Sequence, residues 1–262
     1  MSIIKNQIDL DNLRYSARIL ASCLHHVQTK AKVGTITSEL NEFAIDFIRS
    51  YDAEPAFLGL YGFPTALIVE INDVVVHGIP SPELIIPDNC VVSFDCGVKY
   101  KGMFSDACVL GVVGTVDDRI TNLVAKTRES LMAGIKQVKA GNRVGDIGCA
   151  VDNVLTKAGL GNVLELGGHG LGYKPHDDPF ISHAGRQGKG AKLFENMVIA
   201  IEPMVTLGDG SVVHSSIPGS SVTQVRTPNG EWSAHIEHSI LVTKNSYEIL
   251  TELKEGELLP IK

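Results

Sequence analysis

Two helix signals followed by a series of strand signals occur twice along the chain. This repeated order restricts the folds that the chain can adopt. After each pair of helix signals come short Val- and Ile-rich runs separated by Asn, Pro and Gly, which are typical of strands and hairpins. Apolar residues at spacings of three and four predict helices at about 9–30, 37–48, 117–138 and 145–158. We therefore expect an α+β fold in one domain, residues 1–262, with similar halves at roughly 9–112 and 117–250.

The two halves align with each other at a constant offset. GTITSELNEFAIDFI from Gly34 matches GNRVGDIGCAVDNVL from Gly141 in pattern rather than identity, at an offset of 107 residues (141 minus 34). Such self-similarity indicates an internal duplication. Two similar halves that meet at a sheet would place a functional site at their junction.

Two local signals make the expected elements more specific. Thr37 follows the turn at Gly34 and is a suitable N-cap for the second helix. Asn229-Gly230, within TPNGE, is a hairpin signal, and predicts that the strand SVTQV pairs with the strand WSAHIEHSILVT.

Charge and hydropathy exclude several classes of protein. The chain has 30 acidic and 23 basic residues, a net charge of −7, which argues against a nucleic-acid-binding surface as its main function. It has no signal-peptide pattern and no apolar run near the ~18 residues that a membrane span needs. We expect a cytoplasmic protein without membrane or specific nucleic-acid binding. The cysteines are odd in number without a CxxC spacing, so we expect reduced, buried thiols at Cys23, Cys90, Cys96, Cys108 and Cys149.

Two aspartates, Asp95 and Asp106, each stand alone in an apolar strand and are separated by a turn near Tyr100 to Gly102. If the hairpin turns on Tyr100-Lys101, the aspartates are directly opposite on one face; a turn one residue later makes them diagonal neighbours. Like charges this close repel each other and lose hydration, so they must either share a proton or bind a cation.

Glu202 and Glu237 lie in equally apolar runs that contain no Lys or Arg. A single carboxylate in a strand usually faces solvent, but four of them together are harder to explain in that way. His169, in the glycine-rich GGHGLG, adds an imidazole with space around it. Four carboxylates and one imidazole suit two adjacent ions such as Mn²⁺, Fe²⁺ or Co²⁺ better than a tetrahedral structural zinc.

Five motifs in this order resemble those of the type I methionine aminopeptidases, from about residue 5 to 255: VVHGIP, Asp-x₁₀-Asp, GHGLG, IEPMV and SAHIEHS. The resemblance implies the pita-bread fold, with two pseudo-symmetric helix-helix-strand halves around a curved, mainly antiparallel sheet. It also implies two divalent metal ions, Mn, Fe, Co or Zn, with Asp106 and Glu237 bridging both ions. The implied ligands are Asp95, Asp106, His169, Glu202 and Glu237.

The activity that this resemblance implies is removal of the initiator methionine from nascent proteins with a small second residue. A metal-bridging hydroxide would attack the first peptide bond, and Glu202 would carry the proton to the leaving amine. His176 would donate to the carbonyl oxygen and His77 would contact the scissile amide. The implied partners are N-terminal methionyl peptides, nascent chains and, transiently, the ribosome; we expect a monomer.

The expected methionine pocket departs from the family pattern. Its walls would be His77 and His176 with Phe57, Leu60, Phe63 and Ile68 in place of the usual Tyr and Cys residues. Pro175, Tyr173 and Thr223 stand where the family usually has Phe, Arg and Trp. The pocket stays apolar, so methionine is still expected, although leucine-like residues could enter, because apolar pockets discriminate by only ~1–3 kcal/mol per methylene.

The remaining histidines divide into two groups. His235 and His238 flank Glu237 and are candidates to support the metal ligands. The others have no motif, and we expect structural roles for His25, His26, His183 and His214.

Three alternatives stay open at this point. An Xaa-Pro aminopeptidase or dipeptidase shares the fold and the ligands, but EPMV, EHS and the missing N-terminal domain argue against it. A non-catalytic pita-bread protein would bind a partner or a nucleic acid. A metal-independent hydrolase that uses histidines would not need the carboxylates.

Overall fold

The fold was obtained as a computed structural model, which describes residues 3–262. These residues form four α-helices, α1 to α4, at Gln7–Lys30, Thr37–Ser50, Asp118–Ile135 and Val144–Ala158. Strands β1 to β5 are Glu54–Pro55, Leu67–Ile71, Val74–Val76, Cys90–Tyr100 and Met103–Val113. Strands β6 to β10 are Gly161–Asn162, Gly168–Gly170, Asp177–Ile181, Val198–Ile201 and Met204–Thr206. Strands β11 to β15 are Val213–Ser216, Thr223–Arg226, Ser233–His235, His238–Val242 and Tyr247–Ile249.

The strands form four antiparallel sheets. In the first half, β5 pairs with β4 in the order β1-β4-β2, and in the second half β15-β14-β9-β7-β8 form the largest sheet. The other two sheets have three strands each, in the orders β13-β10-β6 and β11-β12-β3. The apolar faces of α1 and α2 cover β2 and β4, while those of α3 and α4 cover β9, β10 and β13. This arrangement confirms the expected α+β fold of two helix-helix-strand halves.

The offset of 107 residues also relates backbone contacts in the two halves. The N–H of Gly34 donates to the carbonyl of Ile86 at 2.9 Å, and the N–H of Gly141 donates to the carbonyl of Leu193 at 2.9 Å. Both glycines have positive φ angles, of 84° and 97°, that other residues rarely adopt. These shared contacts support our proposal that the halves arose by duplication within one domain.

The four expected helices are present, but the expected N-cap of α2 is wrong. Ile36 occupies the N-cap position and its side chain cannot form a capping hydrogen bond. The hydroxyl of Thr37 instead donates to the carbonyl of Leu84 at 2.9 Å and accepts from the N–H of Ser81 at 3.0 Å. Thr37 therefore fastens α2 to the loop before β4.

The β4–β5 hairpin has the register in which the turn lies one residue later and the two aspartates are diagonal neighbours. The turn lies at Lys101 and Gly102, which have φ angles of 46° and 83°. Asp95 is opposite Cys108, and Asp106 is therefore its diagonal neighbour. The two carboxylates still share one face of the sheet, because they lie at positions of the same parity.

The hairpin predicted at Asn229-Gly230 is wrong. The chain does turn there, with a φ of 74° at Gly230, but β12 pairs with β3 and β11 whereas β13 pairs with β10. The N–H of Ser233 donates to the carbonyl of Asn72, and its hydroxyl donates to the same oxygen at 2.8 Å. These bonds to the β2–β3 turn hold β13 away from β12.

The two glutamates of interest lie where strands pass from one sheet to another. The apolar run that contains Glu202 divides there into β9 and β10, and WSAHIEHSILVT, expected as one strand, divides into β13 and β14 at Glu237. Pro203 has no N–H for a continuous ladder, which gives a local reason for the first break. β9 and β14 belong to the five-stranded sheet, and β10 and β13 to a three-stranded one.

All five cysteines are free; four are buried as expected, and Cys149 is only half-buried. No helix within residues 3–262 has the length and apolar character needed to cross a membrane.

Candidate metal centre

A cavity of about 170 Å³ lies where the sheets meet. One side carries acidic and imidazole groups and the other is apolar. The polar residues that line it are His77, Asp95, Asp106, His169, His176, Glu202 and Glu237. The other lining residues are Phe57, Leu60, Tyr61, Phe63, Ile68, Val76, Leu166, Gly167, Met204 and Val222. The structure thus brings all the residues predicted for the site to one cavity.

Three buried carboxylates, those of Asp95, Asp106 and Glu237, form the first potential ligand group. One oxygen from each lies within 4.8 Å of the other two. Backbone pairing produces this proximity: the N–H of Glu237 donates to the carbonyl of Cys108 at 3.0 Å, and the N–H of Cys108 returns the bond at 3.3 Å. Asp106 is therefore held beside Glu237 although 130 residues separate them in the chain.

His169, Glu202 and Glu237 form a second group within the same 4.8 Å limit. The Nε2 atom of His169 lies 3.6 Å from Oε1 of Glu202 and 3.8 Å from Oδ2 of Asp106. Because Nδ1 of His169 donates to the carbonyl of Gly170 at 3.0 Å, Nε2 presents its lone pair to the carboxylates. This tautomer is the one that a metal-binding histidine uses.

Burial controls the ionisation of these groups. It raises the pKa of Asp106 to about 8. Burial and, after it, the neighbouring carboxylates raise the pKa values of Asp95, Glu202 and Glu237 well above their ordinary values. Burial lowers the pKa of His169 to about 4. Among the described residues that line the cavity there is no Lys or Arg to compensate the carboxylates.

The donor set fits divalent metal ions. Asp95 Oδ1, Asp106 Oδ1 and Glu237 Oε1 are buried and have no hydrogen-bond partner. Such atoms cost free energy unless a donor or a cation compensates them. The two ligand groups share Glu237, and together they offer the oxygen-rich, single-imidazole environment that hard or borderline ions accept.

His77 and His176 lie at the edge of this centre. His77 directly follows β3 with a φ of 60°, and its Nδ1 donates to the carbonyl of Thr223 at 2.8 Å, which leaves Nε2 unprotonated. The exposed ring of His176 lies 4.4 Å from that of His169, between their centroids. A nitrogen of His176 also falls within 4.8 Å of ligand atoms of Asp106 and His169.

The apolar residues that line the cavity form its apolar wall. This wall contains all four predicted residues, Phe57, Leu60, Phe63 and Ile68. Other apolar lining residues were not predicted; two of them, Val76 and Met204, could have been found because they adjoin His77 and the Glu-Pro step. None of Tyr173, Pro175 and Thr223, the three departures from the family pattern, lines the cavity. The Tyr173 hydroxyl donates to Asp9 Oδ2 at 2.6 Å, and so supports the start of α1 instead.

Two residues behind the centre were not predicted to have a role there. The N–H of Glu202 donates to Nε2 of His183 at 3.1 Å, so His183 supports the backbone of a proposed ligand. Glu70 is buried within hydrogen-bonding distance of His235. Glu70 stands alone in the apolar run ALIVEI and thus has the same sequence signal as Asp95.

Comparisons with known proteins agree with this description. The model of metallopeptidase family M24 matches residues 11–244. The methionine aminopeptidase of Clostridium acetobutylicum is 36% identical over 251 residues, which cover 96% of this chain and 99% of that protein. The crystal structure of methionine aminopeptidase from Thermotoga maritima superposes with a TM-score of 0.92 at 34% identity and covers 97% of this chain and 100% of the other.

A more distant structure shares the fold alone. Prolidase from Pyrococcus furiosus superposes with a TM-score of 0.74 at 20% identity, and the match covers 97% of this chain but 66% of that one.

Proposed function

The chain belongs to metallopeptidase family M24, and on that premise we propose that it is a methionine aminopeptidase, which removes the initiator methionine from proteins with a small second residue. One observation carries this proposal: the carboxylates proposed to bind metal and an apolar wall face the same cavity of about 170 Å³. A cavity of this size admits one side chain beside the reacting groups, as removal of a single residue requires.

Two divalent ions, Mn²⁺, Fe²⁺, Co²⁺ or Zn²⁺, would be held by the two ligand groups. The residues that would hold them are Asp95, Asp106 and Glu237 in the first group and His169, Glu202 and Glu237 in the second. When bound, such ions polarise a carbonyl group and lower the pKa of water, which makes a nucleophile available near neutral pH.

The protein's own residues would perform the remaining steps. Phe57, Phe63 and Ile68 bind the methionine side chain and exclude water from it. Glu202 takes a proton from the attacking water and returns it to the leaving amine. His176 donates to the carbonyl oxygen of the first peptide bond. The unprotonated Nε2 of His77 accepts from the scissile N–H.

The substrates under this proposal are N-terminal methionyl peptides and nascent chains. The contact with the ribosome, the monomeric state and the cytoplasmic location stay predictions.

The alternatives have less support. The prolidase resemblance is limited to the fold, and an Xaa-Pro enzyme would have to select the second residue, whereas the apolar wall suits the first. A non-catalytic binding protein would gain nothing from several buried, unpartnered carboxylate oxygens, which are costly to maintain. A metal-independent hydrolase gives the carboxylates no role either.

Peptide release tests the proposal. Chelator-treated protein is mixed with Met-Ala-Ser or Leu-Ala-Ser peptides, with and without Mn²⁺, Fe²⁺ or Co²⁺. We expect metal-dependent release of Met that is lost in Asp106→Ala and kept in Asp209→Ala, a matched change at an exposed aspartate. Preference for the Leu peptide would reassign the specificity of the pocket from methionine to leucine. Absence of release with any metal would reject the enzymatic function.

A further inference from the structure

Glu70 and His235 form a buried pair directly behind the proposed metal centre. Each is 2% exposed, Glu70 in β2 and His235 in β13. Nδ1 of His235 lies 3.0 and 3.1 Å from the two carboxyl oxygens of Glu70. Glu70 thereby fixes the plane of the imidazole ring.

The backbone of His235 is also fixed. The hydroxyl of Ser93 donates to the carbonyl of His235 at 2.9 Å, and the N–H of His235 donates to the same hydroxyl at 3.3 Å. With its main chain and Nδ1 both held, the imidazole has little freedom to rotate. Such support from outside the ligand set is what orients ligands in metal sites.

The other nitrogen of the ring faces Glu202. Nε2 of His235 is buried without a hydrogen-bond partner, and it lies 3.8 Å from Oε2 of Glu202. The second oxygen of that carboxylate, Oε1, lies 3.6 Å from Nε2 of His169. The two oxygens of Glu202 therefore face different imidazoles: one faces a proposed metal ligand and the other faces His235.

The contact between Nε2 and Oε2 of Glu202 becomes favourable when a proton lies between the two atoms. When the buried Glu70 carboxyl donates to Nδ1, the neutral ring carries its own proton on Nε2. A Glu202 carboxylate that binds a metal is ionised, so Nε2–H would give it a charge-assisted hydrogen bond in a site of low dielectric.

We propose that Glu70 and His235 are positioning residues, which hold the Glu202 carboxylate in place by a hydrogen bond from His235 Nε2 to Oε2. The proposal rests on the proposed function, because it assigns the pair to the residue that moves the proton. Neither residue touches the substrate. Glu70 acts through His235, and His235 acts through Glu202.

A different role for the same residues is a third metal site. Glu70, Cys108 and His235 place potential ligand atoms within 4.8 Å of one another. However, Nδ1 of His235 already contacts Glu70 at 3.0 Å, and Nε2 lies 3.8 Å from Glu202, so both nitrogens have carboxyl neighbours without a third ion. The number of Mn²⁺ ions bound separates the two roles.

The test compares His235→Ala, His235→Gln and Glu70→Gln with the unchanged protein. His26→Gln is the matched control, because the His26 ring bonds to the carbonyl of Leu259 at 2.8 Å and lies outside the cavity. The measurements are kcat and KM for Met-Ala-Ser, Mn²⁺ affinity by calorimetry, and the visible absorption spectrum of the Co²⁺-loaded protein. Thermal unfolding shows whether each variant is folded.

We expect His235→Ala to lower kcat by about 10–100-fold and to weaken Mn²⁺ binding by about 10-fold, with KM nearly unchanged. The Co²⁺ spectrum should shift, because one ligand is oriented differently. His235→Gln keeps an N–H that can reach Glu202 and should recover most of kcat. Glu70→Gln should lower kcat when it is made in the unchanged protein. It should not lower kcat further when it is combined with His235→Gln, because that variant has no ring to orient.

Unchanged kcat, Mn²⁺ affinity and Co²⁺ spectrum in folded His235→Ala and Glu70→Gln would overturn the proposal. Three Mn²⁺ bound per chain in the unchanged protein and two in both variants would replace it with the third metal site. Calorimetry and absorption need no turnover, so they test the pair even if the unchanged protein releases no methionine. Absence of methionine release by the unchanged protein would reject only the proposed function and not the role of the pair.

Discussion

Glu202 follows Asp95 by 107 residues, the same offset that relates the hydrogen bond of Gly34 to that of Gly141. Each carboxylate belongs to the main sheet of its own half: Asp95 lies in β4, and Glu202 directly follows β9. The two equivalent positions face one cavity from opposite halves. The acidic centre thus arises at the junction that the repeated pattern of elements predicts.

Metal ions are expected to stabilise the fold. A ligand at 100 times its Kd adds about 2.7 kcal/mol to the free energy of unfolding. For a domain of this size each kcal/mol raises Tm by about 2–4 °C, so Mn²⁺ at that excess should raise Tm by roughly 5–10 °C. Calorimetric scans of chelator-treated protein with increasing Mn²⁺ measure this, with Mg²⁺ at equal ionic strength as the control. Equal Tm values with and without Mn²⁺ would contradict it.

Asp106→Asn is expected to have opposite effects on stability and activity. Without metal, the substitution removes a buried carboxyl that ionises only at a cost, so the free energy of unfolding at pH 8 should rise, on the order of 1–3 kcal/mol. The same variant should lose more than about 100-fold in kcat/KM, since it removes a proposed ligand rather than a supporting group. Urea unfolding and peptide release measure the two quantities. A variant that is both less stable without metal and fully active would disprove this assignment.

The stability of metal-free protein should decrease as the pH rises from 6.5 to 8. The pKa of Asp106 is raised from 3.8 to about 8, so the folded chain retains a proton that the unfolded chain has released. The free energy of unfolding therefore falls with rising pH, by about 1 kcal/mol per pH unit for this group.

Buried histidines have the opposite effect on stability at lower pH: they make the fold less stable as the pH falls. Burial lowers the pKa of His183 from 6.5 to about 3, so below 6.5 the unfolded chain binds the extra proton and acid destabilises the fold. The effect of the carboxylates is thus clearest above 6.5. Urea midpoints of chelated protein across this range test the slope, and Asp106→Asn should flatten it. A midpoint that rises from pH 6.5 to 8 would refute the prediction.

Ile68→Ala should change the selectivity of the apolar wall. Ile68 is buried in β2 and lines the cavity, so its truncation should lower kcat/KM for Met-Ala-Ser by about 10-fold while larger first residues such as Phe gain. The matched control is Ile71→Ala in the same strand, because Ile71 is also buried but does not line the cavity. Both variants should lose about 2–4 kcal/mol of stability. An equal change of selectivity in both would show that the wall is assigned wrongly.

Local patterns predicted much of the molecule. Apolar periodicity located α1 to α4 within a few residues, because a helix with one buried face must repeat its apolar positions. The isolated charges at Asp95 and Asp106 predicted a buried acidic site for a similar reason: an apolar strand tolerates such a group only where something compensates it.

What the sequence could not predict depends on contacts between distant parts of the chain. Glu70 and His235 are 165 residues apart, and no local pattern states that they pair. The turn at Asn229-Gly230 was recognised, but its strands pair elsewhere because Ser233 bonds to Asn72. The change of sheet at Glu202 and at Glu237 likewise depends on which partner strands are nearby.

The division of the ligands between the halves also determines an order of events during folding. Asp95 and Asp106 come from the first half and Glu237 from the second, so the ligand group of these three residues is complete only when both halves are docked, whereas His169, Glu202 and Glu237 all belong to the second half. Binding of an ion by the first group must therefore follow the docking of the halves. The rate at which refolding protein takes up that ion consequently reports the docking step.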